Sequence, residues 1–410
     1  MTMLLTGATL IDGLGGDPVT DRAVRIEADR ITQVGAWSPA DGADLVDLGG
    51  LTLLPGLIDA HTHVGYSSDV RAVLNGELSV AERAADIFRN LRETLDAGFT
   101  TIRDCGGLDL GVLRTVRRGL VPGPRIWAAA VALSQTGGHG RLGSPLAPAG
   151  PSPLSVRGLT GMTPNADGVE EVRRAARECF RQGASFLKMA VTGGVISVSD
   201  ALEDTQYTVE EIAVAVAEAR ARNTYVTVHA HNGAGIRNAV QAGVGCVEHG
   251  TGIDEATAAM MAAHGVHLVP TLAIAEMMRT DSERQGLAPG FRDRVGDTAQ
   301  RMIDGMLLAR DSGVLVGSGS DLIGPDQNHR GLELVLKARV LGPMAAIVSA
   351  TSVNARIMRV ADRLGSVEVG KLADLVAVDF DPLSEPYLFH DPDRVVLVVS
   401  NGTIVKDTRK

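Results

Sequence analysis

The sequence predicts an α/β protein that contains an eight-stranded parallel (β/α)8 TIM barrel and a small β-sandwich made from the two ends of the chain. Within residues 54–364, short apolar runs alternate with amphipathic helical patterns, as in a parallel sheet covered by helices. Residues 1–53 and 365–410 instead show strand-like alternation broken by Gly and Asp turns. We therefore predict a barrel domain over 54–364 and a composite sandwich domain from the two terminal segments.

Apolar runs of β type follow one another through the central part of the chain. Helical patterns separate them, and several of these patterns end in Gly after a polar last turn, which is a common helix stop. The runs are GLIDAHTH, TTIRD, RIWAAAVAL, SFLKMAV, YVTVHAH, CVEHGT, VHLVPTL and VLVGSGSD. Eight such units fit a closed barrel, but a doubly wound open sheet would also alternate strands with helices.

Polar residues at the ends of these runs favour the barrel. A barrel collects its functional residues at the C-terminal ends of all its strands, whereas an open sheet collects them near one switch point. The residues concerned are His61, His63, Arg103, Asp104, Lys188, His229, His231, Glu248, His249 and Asp321. Because they follow most of the runs, we expect one site at the mouth of the barrel.

The composition excludes several classes of partner. The chain has 410 residues and a formal net charge of −10, with no basic stripe, which argues against nucleic acid and anionic membranes. The first residues lack the pattern of a signal peptide, and no stretch of 18 uncharged apolar residues occurs. Cys105, Cys179 and Cys246 have no CxxC spacing, which indicates reduced thiols and predicts a cytoplasmic protein.

The first run ends in two candidate metal ligands. His61 and His63 are two residues apart, so a β-strand would project both rings to the same face. Imidazole and carboxylate groups at the other strand ends are natural ligands of zinc and similar divalent ions. The predicted ligands are His61, His63, Lys188, His229, His249 and Asp321. His231 shares the face of His229, so the residues leave open which of the two is the ligand.

Lys188 is the unusual member of this set. An ammonium group among apolar residues is costly, and two nearby cations would increase the cost. A carbamate formed between the amine and CO2 would instead be an anion with two oxygens that could bridge two metals. We therefore predict that Lys188 is carboxylated at Nζ.

A site of this kind would hydrolyse amides or esters without a covalent intermediate. Water between two cations has a lowered pKa, and Asp321 could take its proton and pass it to the leaving amine. Three further histidines are candidates for holding the substrate. His139 lies in the Gly-rich segment GGHG, His231 follows His229, and His329 lies in QNHRG after the eighth run.

The motifs in this order resemble the amidohydrolase superfamily, in particular its prolidase-like and imidazolonepropionase-like branch. The resemblance covers about residues 53 to 380 and includes LPGLIDAHTH, TTIRDCGG, SQTGGHG, ATSVNARIM and GKLADLVAVD. It implies a barrel with a flanking β-sandwich, a binuclear zinc site and a homo-oligomer. It also implies that His61 and His63 bind the more buried metal with Asp321, that carboxylated Lys188 bridges, and that His229 and His249 bind the second metal. In similar enzymes the positions of His139 and His231 hold a carbonyl or oxyanion, which implies that both take part in catalysis.

The expected activity is hydrolysis of the amide bond of a dipeptide or an N-acyl amino acid. A lactam, carbamate, urea or xenobiotic amide is the alternative, since the same metal chemistry serves it. The bridging lysine argues against a mononuclear deaminase, and the complete ligand set argues against a non-catalytic barrel. Specificity is expected in the loops over 64–80, 134–165, 192–207 and 322–332. The insertion over 141–164 is expected to form a lid, a pocket wall or an oligomer contact.

Overall fold

The structure, a computed structural model, describes residues 2–36, 43–140, 152–161, 165–197, 199–280 and 295–409. Its strands are β1 Thr2–Leu10, β2 Val19–Glu27, β3 Arg30–Gly35, β4 Asp44–Asp47, β5 Thr52–Pro55, β6 Leu57–Thr62, β7 Phe99–Asp104, β8 Arg125–Ala128, β9 Ala132–Leu133, β10 Leu187–Ala190, β11 Val226–Ala230, β12 Cys246–His249, β13 His267–Val269, β14 Leu375–Val378, β15 Val395–Ser400 and β16 Thr403–Asp407. Most of the predicted insertion lies outside the described residues.

Helices occupy most of the connections between the central strands. They are α1 Val70–Leu74, α2 Val80–Asp96, α3 Leu110–Arg117, α4 Gly168–Gln182, α5 Val209–Arg220, α6 Gly233–Ala242, α7 Glu255–Ala263, α8 Leu272–Thr280, α9 Thr298–Asp311, α10 Leu332–Leu341, α11 Pro343–Val348 and α12 Asn354–Ile357. Short 3-10 turns lie at Val64–Tyr66, Gln327–Gly331, Pro386–His390 and Pro392–Arg394, and a π-helical turn lies at Ser349–Val353. None of the helices in the described ranges is long and apolar enough to cross a membrane.

Local sequence explains where several helices begin and end. Ser79 and Thr208 each form a capping box with the glutamate three residues later, so α2 and α5 begin there. Gly183 ends α4 and Gly243 ends α6, each in the left-handed conformation that glycine adopts without steric cost. These are the Gly stops that the sequence predicts.

The two ends of the chain share one eight-stranded sheet. Its order is β16-β15-β14-β5-β1-β2-β3, and β4 pairs with β1. The join is the antiparallel pair of β14 and β5, in which Leu375 faces Pro55. Leu5, Ile26 and Leu397 are each at most 1% exposed in the core on this sheet. The pairing brings the predicted terminal strands together, while the domain limits stay a prediction.

The central strands form two parallel sheets, β6-β7-β8 and β9 to β13 in sequence order. Backbone hydrogen bonds link these sheets on both sides. Ser185 N donates to Ala128 O at 2.8 Å, next to β8 and β10. On the other side, segment 314–321 bonds to both sheets: Leu268 N donates to Leu315 O at 3.0 Å, and Ala60 N donates to Ser318 O at 2.9 Å. The carboxyl ends of β6 to β13 therefore face one common region.

Two predicted runs depart from regular strands. RIWAAAVAL splits into β8 and β9, because Ala130 between them has a φ of 68°. VLVGSGSD forms only an isolated parallel bridge between Val316 and Leu268 rather than a strand. Its glycines are required by close packing, since a Cβ on Gly319 would lie 2.4 Å from the Cβ of His61. The eighth run therefore packs closely against β6 at His61, one of the predicted metal ligands.

The core beneath the site lies between the parallel strands and their helices. Val228, Val247 and Leu268 are fully buried, and Ile212 and Met306 on the surrounding helices are equally buried. Full burial of such side chains stabilises a fold by roughly 1.5–3 kcal/mol each. This packing holds the strand ends, and hence the candidate site, on rigid elements.

Candidate active site

Side chains from the ends of the central strands line one cavity. The structure brings together all six predicted metal ligands and two of the three predicted substrate-binding histidines. The lining includes His61, His63, His139, Lys188, His229, His231, His249 and Asp321. His329 is not among the described residues that line this cavity, and its ring instead stacks on His390 with centroids 4.9 Å apart.

One group of ligand atoms converges around Asp321. The Nε2 atoms of His61 and His63 lie 3.4 Å and 3.3 Å from Asp321 Oδ1, and 3.3 Å from each other. Each Nδ1–H is already used, because His61 bonds to Glu248 Oε2 and His63 bonds to Gly106 O, both at 2.7 Å. In the neutral rings the facing Nε2 atoms therefore carry lone pairs without protons between them. A cation would satisfy all three groups at once.

A second group is built from the ends of β11 and β12. The ligand atoms of His229, His231 and His249 lie within 4.8 Å of one another, and His229 Nδ1 is 2.9 Å from His249 Nε2. Thr251 and Thr271 hydroxyls hold the Nδ1 atoms of His231 and His249, both at 2.8 Å. Because His229 and His231 both belong to this group, the choice between them stays open.

Burial keeps four of these five imidazoles in the neutral form that binds cations. Burial lowers the pKa of His61, of His229 and of His249, and it lowers the pKa of His231 to about 3. Burial also raises the pKa of Asp321, but the close contacts with His61 and His63 outweigh it and hold the pKa below its usual value, and the contact with Asp321 raises the pKa of His63. Neutral imidazoles and an ionised carboxylate are the ligand forms that divalent metals require.

Lys188 lies among these groups without a partner. It is 3% exposed, and its Nζ atom makes no hydrogen bond within the described ranges. An unpaired buried polar group costs about 1–3 kcal/mol, and more when charged. A carbamate on Nζ would replace the unmatched donor by an anionic ligand beside the two groups. The donor set and this orphaned amine fit a site for two divalent cations.

A buried charge network supports His61 from below. Glu248 accepts from His61 Nδ1 at 2.7 Å and from Arg103 Nη2 at 2.6 Å, and all three side chains are at most 1% exposed. The Thr227 hydroxyl also donates to Glu248. Burial alone raises the pKa of Glu248, but the Arg103 charge holds it well below its usual range. Glu248 is therefore an anion that fixes His61 with Nε2 facing the site.

The sequence interpretation missed the role of Glu248. Arg103 pairs with Glu248 at 2.6 Å, whereas its neighbour Asp104 accepts from Val64 N at 2.8 Å. Burial raises the pKa of Asp104 to about 6. The available signal was a charged residue in each of two apolar runs, TTIRD and CVEHGT. The sequence does not show that these two charges meet.

A second buried pair positions the loop that carries Asp321. Asp59 accepts from the backbone N of Ser320 at 2.9 Å and of His61 at 3.2 Å, and it pairs with Arg330 at 3.1 Å. Asp321 itself has a φ of 56°, an uncommon conformation for a non-glycine residue that recurs at functional sites. Asp59 thus fixes the backbone next to two predicted ligands. Sequence reasoning assigned no role to Asp59 or Arg330.

His139 faces the same cavity from the loop after β9. Its ring stacks on His229 with centroids 4.1 Å apart, and its Nδ1 lies 2.9 Å from Ser197 Oγ. Ser197 donates its own proton to the carboxylate of Asp200, so its oxygen accepts from His139 Nδ1–H. Burial lowers the pKa of His139 to about 4. The neutral ring therefore presents an unprotonated Nε2.

Comparison with known proteins agrees with this arrangement. The sequence matches the amidohydrolase family over residues 52–405. It is 31% identical to ochratoxinase of Aspergillus niger over 367 residues, which cover 86% of this chain and 75% of that protein. An uncharacterized protein of Mycobacterium tuberculosis is 28% identical over 88% of this chain and 87% of its own length.

Two solved structures extend the comparison to the fold. A prolidase solved with N-methylphosphonate-L-proline is 36% identical and matches the full length of both chains with a TM-score of 0.93. A Xaa-Pro dipeptidase with methionine in its active site is 29% identical, with a TM-score of 0.88 over 99% of this chain and all of that chain. The chain therefore belongs to the amidohydrolase family. It is a hydrolase that acts on amide bonds.

Proposed function

We propose that this protein is a binuclear zinc hydrolase that cleaves the amide bond of a dipeptide or an N-acyl amino acid. The observation that carries the proposal is the convergence of histidine nitrogens and the Asp321 carboxylate around the unpaired amine of Lys188. The named substrates of the relatives support it, since the similar structures include a prolidase and a Xaa-Pro dipeptidase.

The same proposal includes the finer architecture. We propose that the two parallel sheets and segment 314–321 form one closed (β/α)8 barrel, with the terminal sheet as a flanking β-sandwich. The backbone hydrogen bonds that link the two sheets on both sides support closure. A cytoplasmic location, a homo-oligomer and a small-molecule amide as partner, rather than nucleic acid or membrane, remain expectations from the sequence.

The ligand assignment follows the two groups of atoms. His61, His63 and Asp321 would hold one cation, His229 and His249 the other, and carboxylated Lys188 would bridge them. When bound, two such cations lower the pKa of a water molecule and polarise a carbonyl oxygen. Asp321, held as a carboxylate, would accept the proton of the attacking water and deliver it to the leaving amine.

His139 and His231 would bind the substrate next to Asp321. The hydrogen bonds around His139 indicate which of its ring nitrogens carries the proton, and this refines its proposed role. The neutral ring accepts a hydrogen bond at Nε2, so it suits a substrate N–H, whereas an oxyanion requires a second proton on the ring. His231 can turn Nε2 to the cavity because Thr251 holds its Nδ1. His329 stays a predicted substrate contact that lies outside the cavity lining.

The alternative substrate class is a lactam, carbamate, urea or xenobiotic amide. The ochratoxinase relative, by its name, acts on a toxin, which keeps this alternative in the test. Molinate hydrolase and phenylurea hydrolase B resemble the chain at 22% identity, which supports the fold alone. The prolidase structure is 36% identical to this chain, against 28% for the ochratoxinase structure, and this difference favours dipeptides and N-acyl amino acids.

The test is amine release by zinc-loaded protein from a panel of Xaa-Pro, Xaa-Arg, Xaa-Phe and N-acyl amino acids. We expect turnover that a chelator removes and that Asp321→Asn lowers by at least about 1000-fold, the upper range for loss of one transition-state group. Asp304→Asn, a change at an exposed aspartate of α9, is the control and should keep full activity.

Two results would contradict the proposal. Full activity of Asp321→Asn would remove the proposed proton transfer. If no compound of the panel is cleaved although two zinc ions are bound per chain, the substrate belongs instead to the lactam, carbamate and urea class.

A further inference from the structure

The cavity has an apolar side whose chemistry the proposed reaction does not use. Apart from the candidate ligands, His139 and His231, the described lining contains no acidic side chain, no lysine and no arginine. We call its apolar part the apolar wall. It consists of Val195, Ile274, Met278, Val295, Met302 and Ile323.

The wall is built at helical spacing by two neighbouring helices. Ile274 and Met278 lie one turn apart on one face of α8, and Met302 lies on α9, one turn after the lining residue Thr298. All three wall residues are at most 7% exposed. Methionine is unbranched and adapts its shape to a partner, so two methionines make the wall tolerant of different apolar groups.

Five of the six wall residues form one continuous surface, while Met302 belongs to the main core cluster of the parallel strands. Val195, Ile274, Met278 and Val295 belong to one buried cluster, and Ile323 packs against it. The cluster therefore joins residues after β10, on α8, before α9 and after segment 314–321. The described side chains of this cluster offer a bound group only carbon and sulfur atoms.

The wall also lies next to the reacting centre. Thr271 donates its backbone N–H to Met302 Sδ at 3.2 Å, and its hydroxyl lies 2.8 Å from Nδ1 of the candidate ligand His249. Ile274 follows Thr271 by three residues, at the start of α8. A substrate whose amide is at the candidate metal site would therefore place its next side chain against the wall.

We propose that the apolar wall binds an uncharged aliphatic or aromatic side chain of the amino acid in the amide substrate and rejects charged side chains. The inference rests on the proposed function, because it specifies the class of substrate that the same site accepts. Burial of a Leu-sized apolar side chain is favourable, whereas a charged side chain would lose its hydration without finding a partner among the described wall residues. The wall thus acts mainly by exclusion of charge.

The test uses N-acetyl-Leu, N-acetyl-Asn and N-acetyl-Asp with zinc-loaded protein, because these three side chains have nearly the same size and branching. We expect kcat/KM for the Leu compound to exceed that for the Asn compound by about 10- to 100-fold, and the Asp compound to be poorer still. Equal values, or a preference for Asp, would overturn the inference while leaving the proposed function intact.

If none of the three is cleaved, the proposed function fails on N-acyl amino acids, and the wall is then judged by binding. Calorimetry of the same compounds with zinc-loaded protein should rank Leu above Asn and Asp by the same factor. Equal affinities, or no binding of any of them, would overturn the inference.

Adjacent methionines on α8 provide a matched pair of variants. Met278 lines the cavity and belongs to the buried cluster of the wall. Met277 is only partly buried, packs against that cluster and does not line the cavity. We expect Met278→Glu to lower kcat/KM for N-acetyl-Leu by at least about 10-fold. It should also raise kcat/KM for N-acetyl-Lys relative to that for N-acetyl-Leu. Met277→Glu should keep kcat/KM for N-acetyl-Leu within about twofold of the wild-type value. Met278→Leu should keep the preference for Leu. Equal loss in both Glu variants would indicate a structural effect and overturn the assignment of Met278.

Discussion

Two buried cations in the parallel sheets differ in their surroundings. Arg103 on β7 is completely buried and bonds to Glu248 at 2.6 Å, to Ala60 O at 2.5 Å and to Tyr225 Oη at 3.4 Å. Lys188 on β10 is 3% exposed, and its Nζ has no hydrogen-bond partner in the ranges the structure describes. A fully paired charge belongs to the scaffold, whereas an unpaired one marks a place that a ligand or a modification completes.

Replacement of Arg103 should have the largest effect on stability. We expect Arg103→Met to lower the free energy of unfolding by about 3–5 kcal/mol, because it leaves Glu248 as a buried anion without its arginine countercharge. Urea unfolding of the metal-free protein measures this loss. The double variant Arg103→Met with Glu248→Leu should recover most of it, because both charges are then removed. A loss below about 1 kcal/mol for the single variant would contradict the pairing.

The same chemical change at Lys188 should act in the opposite direction. We expect Lys188→Met to raise the unfolding free energy of the metal-free protein by about 1–3 kcal/mol, since an unpaired buried amine is removed. It should also lower kcat/KM by at least about 100-fold, because loss of a bridging ligand exceeds typical effects outside the ligand shell.

Carbon-13 NMR distinguishes a carboxylated Lys188 from an unmodified Lys188 amine. After exposure to labelled CO2 with zinc, the wild-type protein should show a carbamate signal that Lys188→Met lacks. A zinc-loaded, active protein with an unmodified amine would overturn the carboxylation proposal.

Glu248 connects the scaffold charge to the candidate ligand His61. We expect Glu248→Gln to weaken zinc binding by about 10- to 100-fold, because the imidazole loses the anion that fixes its tautomer and orientation. Competition with a chromophoric chelator measures the affinity. Glu255→Gln at an exposed position of α7 should leave it unchanged. Equal zinc affinities of the wild type and Glu248→Gln would mean that Glu248 only balances the charge of Arg103 and does not support His61 as a ligand.

The histidines give a smaller effect that depends on pH. Burial lowers the pKa of His139 to about 4 and that of His231 to about 3, below the value of about 6.5 in the unfolded chain. Between these values the unfolded state binds more protons, so the metal-free protein should lose stability as pH falls below about 6.5. Each neutral histidine contributes a slope of about 1.4 kcal/mol per pH unit.

Urea unfolding at several pH values between 7 and 5 tests this slope. His139→Gln should reduce it by the share of one histidine. An unchanged slope in His139→Gln would show that this ring is protonated in the folded state.

Much of the fold and of the site could be predicted because it depends on short-range patterns. The i, i+2 spacing of His61 and His63 places both side by side in the structure, and the Gly stops end α4 and α6 as expected. Family membership and the hydrolase class are confirmed as well. Less could be predicted where glycines replace a regular strand, as in VLVGSGSD, or where the role depends on a loop, as for His329.

The sequence by itself determined the identity and order of the strand-end residues, because strand and helix periodicities are local properties of the chain. Only the tertiary structure decided their partners. Arg103 and Glu248 are 145 positions apart, and Asp59 and Arg330 are 271 apart. The apolar wall likewise forms only when α8 and α9 pack together. Such contacts depend on how whole elements pack, and no short-range pattern encodes that packing.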